Sequence, residues 1–389
     1  AALSAYEEGE VQGISRVPPT GLLEAKTNQG LKLFSARLSG YTLVLLNLKS
    51  PFFQNKLVRQ ALLYAIDRQE LVDRVLDGRG VVAHSPILPE SWAHDNGVAR
   101  YEYDPERAKD LLMEAGWRTP THLSAMEGDT DRQSKGSIRE QAGVKLAFTL
   151  LTDDDPLHMR LAEEIARQWE EIGVRAIPQT VRSSLVENYL RPRKFEAALI
   201  DLEVRGDPDP YPLWHSTQAN GEGQNYAGFV NYEVDKLLEE ARCIVDLDKR
   251  AELYHRFQQT FADEVPSLLL YYPVYTYAVD EKIKGVQLGP LSEPSDRFRN
   301  IAEWYVVTKR IIIGRGGLRS ESLGSLRGTP STPLFLLRAG LNGPMPHTGD
   351  EKRNIGRTPP TPPDLLRRLA RPLSLTNETN RGKLYIAPK

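Results

Sequence analysis

One stretch limits the architecture of this chain more than any other. KLAFTLLT (145–152), DPLHMRLAEEIARQWEEIG and VRAIPQTV (174–181) follow one another with only short breaks. The first and third are short, apolar and β-rich. The middle one starts at an Asp-Pro pair, with Asp155 as N-cap, and is closed by Gly173. Strand, helix and strand joined by short loops form a crossover unit, which requires the two strands to be parallel. A third strand, KFEAALIDL (194–202), follows. After two helices, at about 232–245 and 249–264 and separated around Asp246–Asp248, comes SLLLYYPVYTYAV (267–279), rich in Tyr, Val and Leu. The predicted fold class is therefore α/β, and 389 residues are enough for roughly two or three domains.

The segment before the crossover reads as punctuated helices. In LVRQALLYAIDRQELVDRVLDG, Leu57, Ala61, Leu62, Ala65 and Ile66 recur at helical spacing. Asp67 and Glu70 have the spacing of a capping box, with Ile66 and Leu71 placed as its staple. Two helices meeting near Asp67 are predicted, the second ending at Gly78. In YDPERAKDLLMEAGW, Asp104 is the N-cap, Pro105 takes the first helical position and Gly116 supplies the stop.

The loop GDPDPYPLWHSTQ (206–218) directly follows the third strand. Ligands of open α/β sheets bind outside the carboxyl ends of strands, so this loop stands at the right end for function. Its proline frame is equally that of a rigid surface turn. Asp207 and Asp209 invite a glycosidase reading, which needs two carboxylates about 5–10 Å apart; any i, i+2 pair meets that spacing. No G-x-S-x-G elbow and no phosphate-binding loop occurs. The seven histidines are scattered without H-E-x-x-H, and Cys243 is the single cysteine, so neither a metal site, a cofactor nor an internal disulfide is expected. No run of about 18 apolar residues exists to cross a membrane. The N-terminus has no initiator Met and no leader-like pattern.

The net charge of −2 hides an asymmetry. Residues 310–389 carry about 14 Lys and Arg against about 5 Asp and Glu, which leaves the body acidic. This tail, rich in Pro, Gly, Ser and Arg, is expected to be disordered. A basic tail can bind nucleic acid or anionic lipid, but the plainer expectation is no dedicated partner and no nucleic acid.

The ordered motifs carry a resemblance. LNLKSPFFQNKLVRQALLYAIDRQELVDRVLDGRG resembles the N-x-x-x-x-P-F…V-R-Q-A-L-x-x-A-I-D-R segment of the oligopeptide/dipeptide-binding proteins of ABC importers. YDPERAKDLLMEAGW is similar to the same family's Y-D-P-x-x-A-K-x-L-L-x-E-A-G-W. EEIGV, the Asp-Pro-Asp segment 207–209, NYAGFVNYEVDKLLEEA and VPSLLLYYPVYTYAV follow in the family's order, so the likeness covers about residues 1–309. It implies a periplasmic-binding-protein-like two-lobed clamp that captures a solute without altering it. Residues 1–46 would be the end of a front-truncated first lobe, 47–272 a complete second lobe, and 273–309 the return to lobe one. The hinge would lie near Val44–Asn47 and Tyr271–Val274.

The resemblance further implies an extracytoplasmic protein that passes peptides to ABC permease subunits, touching the membrane only through the permease or an N-terminal anchor upstream. Oligosaccharides are the alternative ligand, and a carbohydrate-active enzyme using Asp207 and Asp209 the alternative class. The candidate ligand-binding residues are Glu203, Asp207, Asp209, Tyr211, Trp214, Asn225 and Tyr226. Asp207 or Asp209 would receive a ligand ammonium, with Tyr211 and Trp214 as flat walls. For Trp214 a core position is an equal reading; for Asp207 a turn or cap is the slightly favoured one. Glu203 stands where peptide-binding members often place an acid for the amino end.

Overall fold

The structure is a computed structural model that describes residues 2–17, 19–120, 137–204, 206–307 and 383–385. Apart from 383–385, the basic tail expected at 310–389 lies outside the described residues.

The strands used below are β1 (Gly13–Ser15), β2 (Leu31–Arg37), β3 (Gly40–Leu46), β4 (Gly80–Val82), β5 (Ala147–Asp153), β6 (Arg175–Val181), β7 (Ala197–Glu203) and β8 (Ser267–Asp280). They join in one sheet with the path β1-β8-β3-β7-β5-β6, in which β2 and β4 also pair with β8. The predicted crossover is present: β5 pairs with β6 in parallel, and β7 pairs with β5 in parallel at Leu150↔Ala197 and Leu151↔Ala198. β3 runs antiparallel to β7 from Gly40↔Glu203 to Leu46↔Ala197. Residues Lys383–Tyr385 lie parallel to the end of β7.

The helices are α1 (Lys56–Tyr64), α2 (Pro105–Glu114), α3 (Pro156–Glu171), α4 (Tyr232–Cys243) and α5 (Leu247–Glu264). Each starts on a side-chain cap: Asn55, Asp104, Asp155, Asn231 and Asp246 all accept from a first-turn backbone N–H. One such cap contributes about 1 kcal/mol. On one face of the sheet, α1, α2 and α3 bury Leu62, Leu111, Ile165 and Trp169 against Phe53 and Phe148. Trp169 donates its indole N–H to Leu62 O at 2.9 Å. Its burial removes roughly 200 Å² from water, about 5 kcal/mol as an upper bound. On the other face, α4 and α5 bury Leu237, Tyr254, Phe257 and Phe261 with Trp214.

Two expectations change. The second helix after Asp67 is only one turn, Arg68–Glu70, followed by a π turn over Leu71–Val75. Asp67 does cap it by accepting from Glu70 N at 2.8 Å. The reciprocal half of the box is missing: the Asp67 N–H goes to Gln168 Oε1, while Glu70 pairs with Arg74. The wider turn brings Leu71, Val72 and Leu76 into the core together.

The second change concerns the first crossing. β2 pairs with the far half of β8, from Val274↔Arg37 to Asp280↔Leu31, whereas β3 pairs with its near half and with β7. The chain therefore changes partners at Leu38–Ser39, before β3, and not at Val44–Asn47. The other change of partners lies between Tyr272 and Val274 within β8.

Candidate functional site

β7 ends at Glu203, and the chain then turns across the carboxyl end of the sheet through residues 206–210. Facing it are the turn between β2 and β3 and the loop 86–92 that follows β4. Together they enclose a cavity of about 300 Å³, lined by Arg37, Leu38, Ser39 and Tyr41, by Pro86 through Leu88 and Glu90 through Trp92, by Asp207 through Pro210, and by Leu213 and Trp214. This is the low end of the roughly 300–1,000 Å³ typical of small-molecule sites.

The Asp-Pro-Asp loop is held by arginines from the helices beneath it. Arg250 on α5 contacts Asp207 at 2.8 Å, and Arg242 on α4 donates to Asp209 Oδ2 from Nε at 2.9 Å and Nη2 at 2.7 Å. Burial opposes the charge on Arg250, but hydrogen bonds to Asp207 and Tyr254 outweigh it and raise its pKa. Asp209 also accepts from Tyr211 N at 3.1 Å, which opens the short helix Tyr211–Trp214. The two acids thus anchor the loop through their Oδ2 atoms, while the Asp207 side chain stays 51% exposed.

The expected aromatic walls are placed differently. The Tyr211 ring lies between His215, stacked at 4.0 Å, and the Arg242 guanidinium at 3.8 Å, so both faces are covered. Trp214 is 2% exposed and meets Phe261 edge-on at 4.7 Å. It forms cavity wall from within the core. Asn225 is buried and fully engaged: its amide donates to His215 O and Phe229 O and accepts from Phe229 N. Tyr226 is buried near Arg193. Neither lines the cavity. Glu203 borders a narrow crevice next to it, together with Asp201 and Tyr41.

The exposed aromatic at the rim is Trp92, 41% accessible, with Tyr254 at 6.0 Å and the Arg250 guanidinium at 5.4 Å. Sequence reasoning missed it, although PILPESWAHD has the same proline-framed, Trp-bearing character as the 206–218 loop. It also missed the ion pair between Arg37 and Glu90 across the cavity mouth. Just behind the site, His158 sits between Asp153 (2.9 Å) and Asp201 (3.4 Å), and Asp201 accepts from the Thr42 hydroxyl at 2.5 Å. Burial disfavours the imidazolium, but Asp201 and Asp153 outweigh it and hold its pKa well above the ordinary value. This network ties β3, β5, β7 and α3 together below the cavity.

Among the described residues no cluster of His, Cys, Asp and Glu suits a metal ion, and no helix is long and apolar enough to cross a membrane.

Residues 1–224 match the family model described as bacterial extracellular solute-binding proteins, family 5 middle. The oligopeptide-binding protein AppA of Bacillus subtilis (strain 168) is 32% identical over 311 residues, 79% of this chain and 54% of that protein. Heme-binding protein A of Haemophilus influenzae is 29% identical over 69% of this chain and 46% of that protein. The dipeptide-binding protein of Escherichia coli (strain K12) is 26% identical over 76% and 52%. The solved structure of the Bacillus subtilis AppA in complex with a nonapeptide superposes with a TM-score of 0.65 at 30% identity, covering 78% of this chain and 58% of that one. The chain spans about half the length of the curated relatives it matches.

Proposed function

The chain belongs to the bacterial extracellular solute-binding proteins of family 5, and from that premise we propose that it captures peptides outside the cytoplasmic membrane and delivers them unaltered to an ABC permease. The observation that carries this reading is the cavity at the carboxyl end of β7. It lies next to both places where the chain changes partners, Leu38–Ser39 and Tyr272–Val274, so a ligand seated there would bias closure about those two crossings. The names of the AppA and dipeptide-binding relatives support peptides over oligosaccharides as the ligand.

Binding without turnover fits the chemistry of the wall. A glycosidase needs one carboxyl free to protonate a leaving group and a second free to attack or to activate water. Asp207 and Asp209 are each committed to an arginine. The recognition surface then consists of Trp92 at the rim, Trp214 and Tyr41 in the wall, and the backbone of the loop held by Asp207 and Asp209. Glu203, at the neighbouring crevice, remains the candidate for a peptide's amino end.

A thermal-shift titration of the purified chain tests this. A ligand at 100 times its Kd stabilises by about 2.7 kcal/mol, which for a body of this size raises Tm by about 5 °C. Alanine-based pentapeptides are expected to give such a shift and leave intact. A shift with maltooligosaccharides or haem but with no peptide would overturn the peptide assignment.

A further inference from the structure

Arg37 and Glu90 form an ion pair across the mouth of the cavity, and both line it. The two side chains belong to walls that are built separately. Arg37 ends β2, directly before the change of partners at Leu38–Ser39, and its strand partner is Val274 in the far half of β8. Its carbonyl accepts from Leu291 N at 3.0 Å, and Ser39 N donates to Leu291 O at 2.7 Å. Glu90 stands in the loop after β4, which pairs with β8 from Tyr271 to Pro273. That loop is fixed to α5: Gln258, fully buried, accepts from the Ser85 hydroxyl at 2.7 Å and donates to Ala93 O at 2.8 Å. The Tyr272 hydroxyl also donates to Ser85 O at 2.7 Å. The ion pair thus joins the β2 side of the cavity to the α5 side, next to both places where the chain changes partners. We propose that it is a latch: the pair opens to admit the ligand and re-forms over it, so that Arg37 and Glu90 position the walls of the clamp and do not grip the ligand.

The inference rests on the peptide reading above. Opposite charges on two walls attract most when the walls meet, so the pair favours the closed arrangement in the empty chain and in the loaded one. The side chains are 33% and 27% exposed, which places the pair at the upper end of the range for pairs that water reaches, a factor of about five. Salt screens such a pair. Without it the clamp opens more readily in both states: the ligand leaves faster, and its entry is not slowed. Two residues that each gripped the ligand would instead act independently, and their losses would multiply.

Stopped-flow kinetics on the full 389-residue chain tests this with alanine-based pentapeptides, read by tryptophan fluorescence, since Trp92 stands at the rim. Arg37→Gln and Glu90→Gln should each raise the dissociation rate about fivefold, with an association rate no lower than that of the wild type. The double variant should match the single ones, because each residue acts through the other. Raising the salt from about 0.01 M to about 1 M should speed release from the wild type and change release from the double variant by less than about twofold. Unchanged dissociation in the single variants, or single effects that multiply in the double variant, would overturn the latch while leaving peptide capture intact. Failure of every peptide to bind would overturn the peptide reading itself, and the latch with it.

Discussion

Replacing His158 by leucine removes the charge and both donors that separate Asp153 from Asp201. His158 is 6% exposed. Its removal leaves two carboxylates facing an apolar side chain, with the Thr42 hydroxyl still donating to Asp201 and the Asp155 N–H to Asp153. Breaking a buried pair in this way costs about 3–5 kcal/mol. The Asp201 side chain is 22% exposed, so water reaches one of the two acids, and the lower end applies, about 3 kcal/mol. In a body of this size that is a fall in Tm of about 6 °C. Urea unfolding of wild type and variant reads it directly. The pH dependence has a definite sign. Folding raises the His158 pKa above its unfolded value of about 6.5. The stabilisation is therefore complete below about pH 6.5 and is lost as pH rises through the folded value. The penalty of His158→Leu should be largest near pH 6 and shrink in alkaline buffer. A penalty under about 1 kcal/mol at pH 6, or one that grows as pH rises, would refute the reasoning.

Asn225→Ala removes three hydrogen bonds to buried backbone groups. It should cost about 3 kcal/mol in urea unfolding, while calorimetry of the folded fraction shows unchanged peptide affinity; a large affinity loss would move Asn225 back into the site. Trp92→Ala should do the reverse. The ring is half in solvent at the cavity rim, so peptide binding should weaken about tenfold with Tm changed by less than about 2 °C.

The parts of this structure legible in the sequence are those set by neighbours along the chain. Asp104-Pro105 and Asp155-Pro156 announced their helices because a cap and the N–H it accepts from are two or three residues apart. The crossover was legible because loop length alone decides parallel pairing. What failed depends on distant partners. Glu70 could not complete a box with Asp67 because Gln168, some hundred residues on, already accepts from the Asp67 N–H. The change of pairing partner at Leu38–Ser39 is set by contacts with a strand more than two hundred residues on, so it left no local mark. At the site, the arginines that pair with Asp207 and Asp209 come from helices 33 or more residues away, so the loop's own residues do not announce them. Trp214 and Trp92 stand in similar proline-rich loops, and only packing against Phe261 sends one inward while the other stays at the rim.

The most direct measurement of capture at the end of β7 is native mass spectrometry of the chain with a peptide mixture, run beside Ser39→Trp, which fills the cavity from its β2–β3 side. The account predicts a one-to-one adduct whose released peptide has its starting mass, and loss of that adduct in the folded Ser39→Trp variant. A peptide released in fragments, or an adduct equally abundant in both proteins, would contradict it.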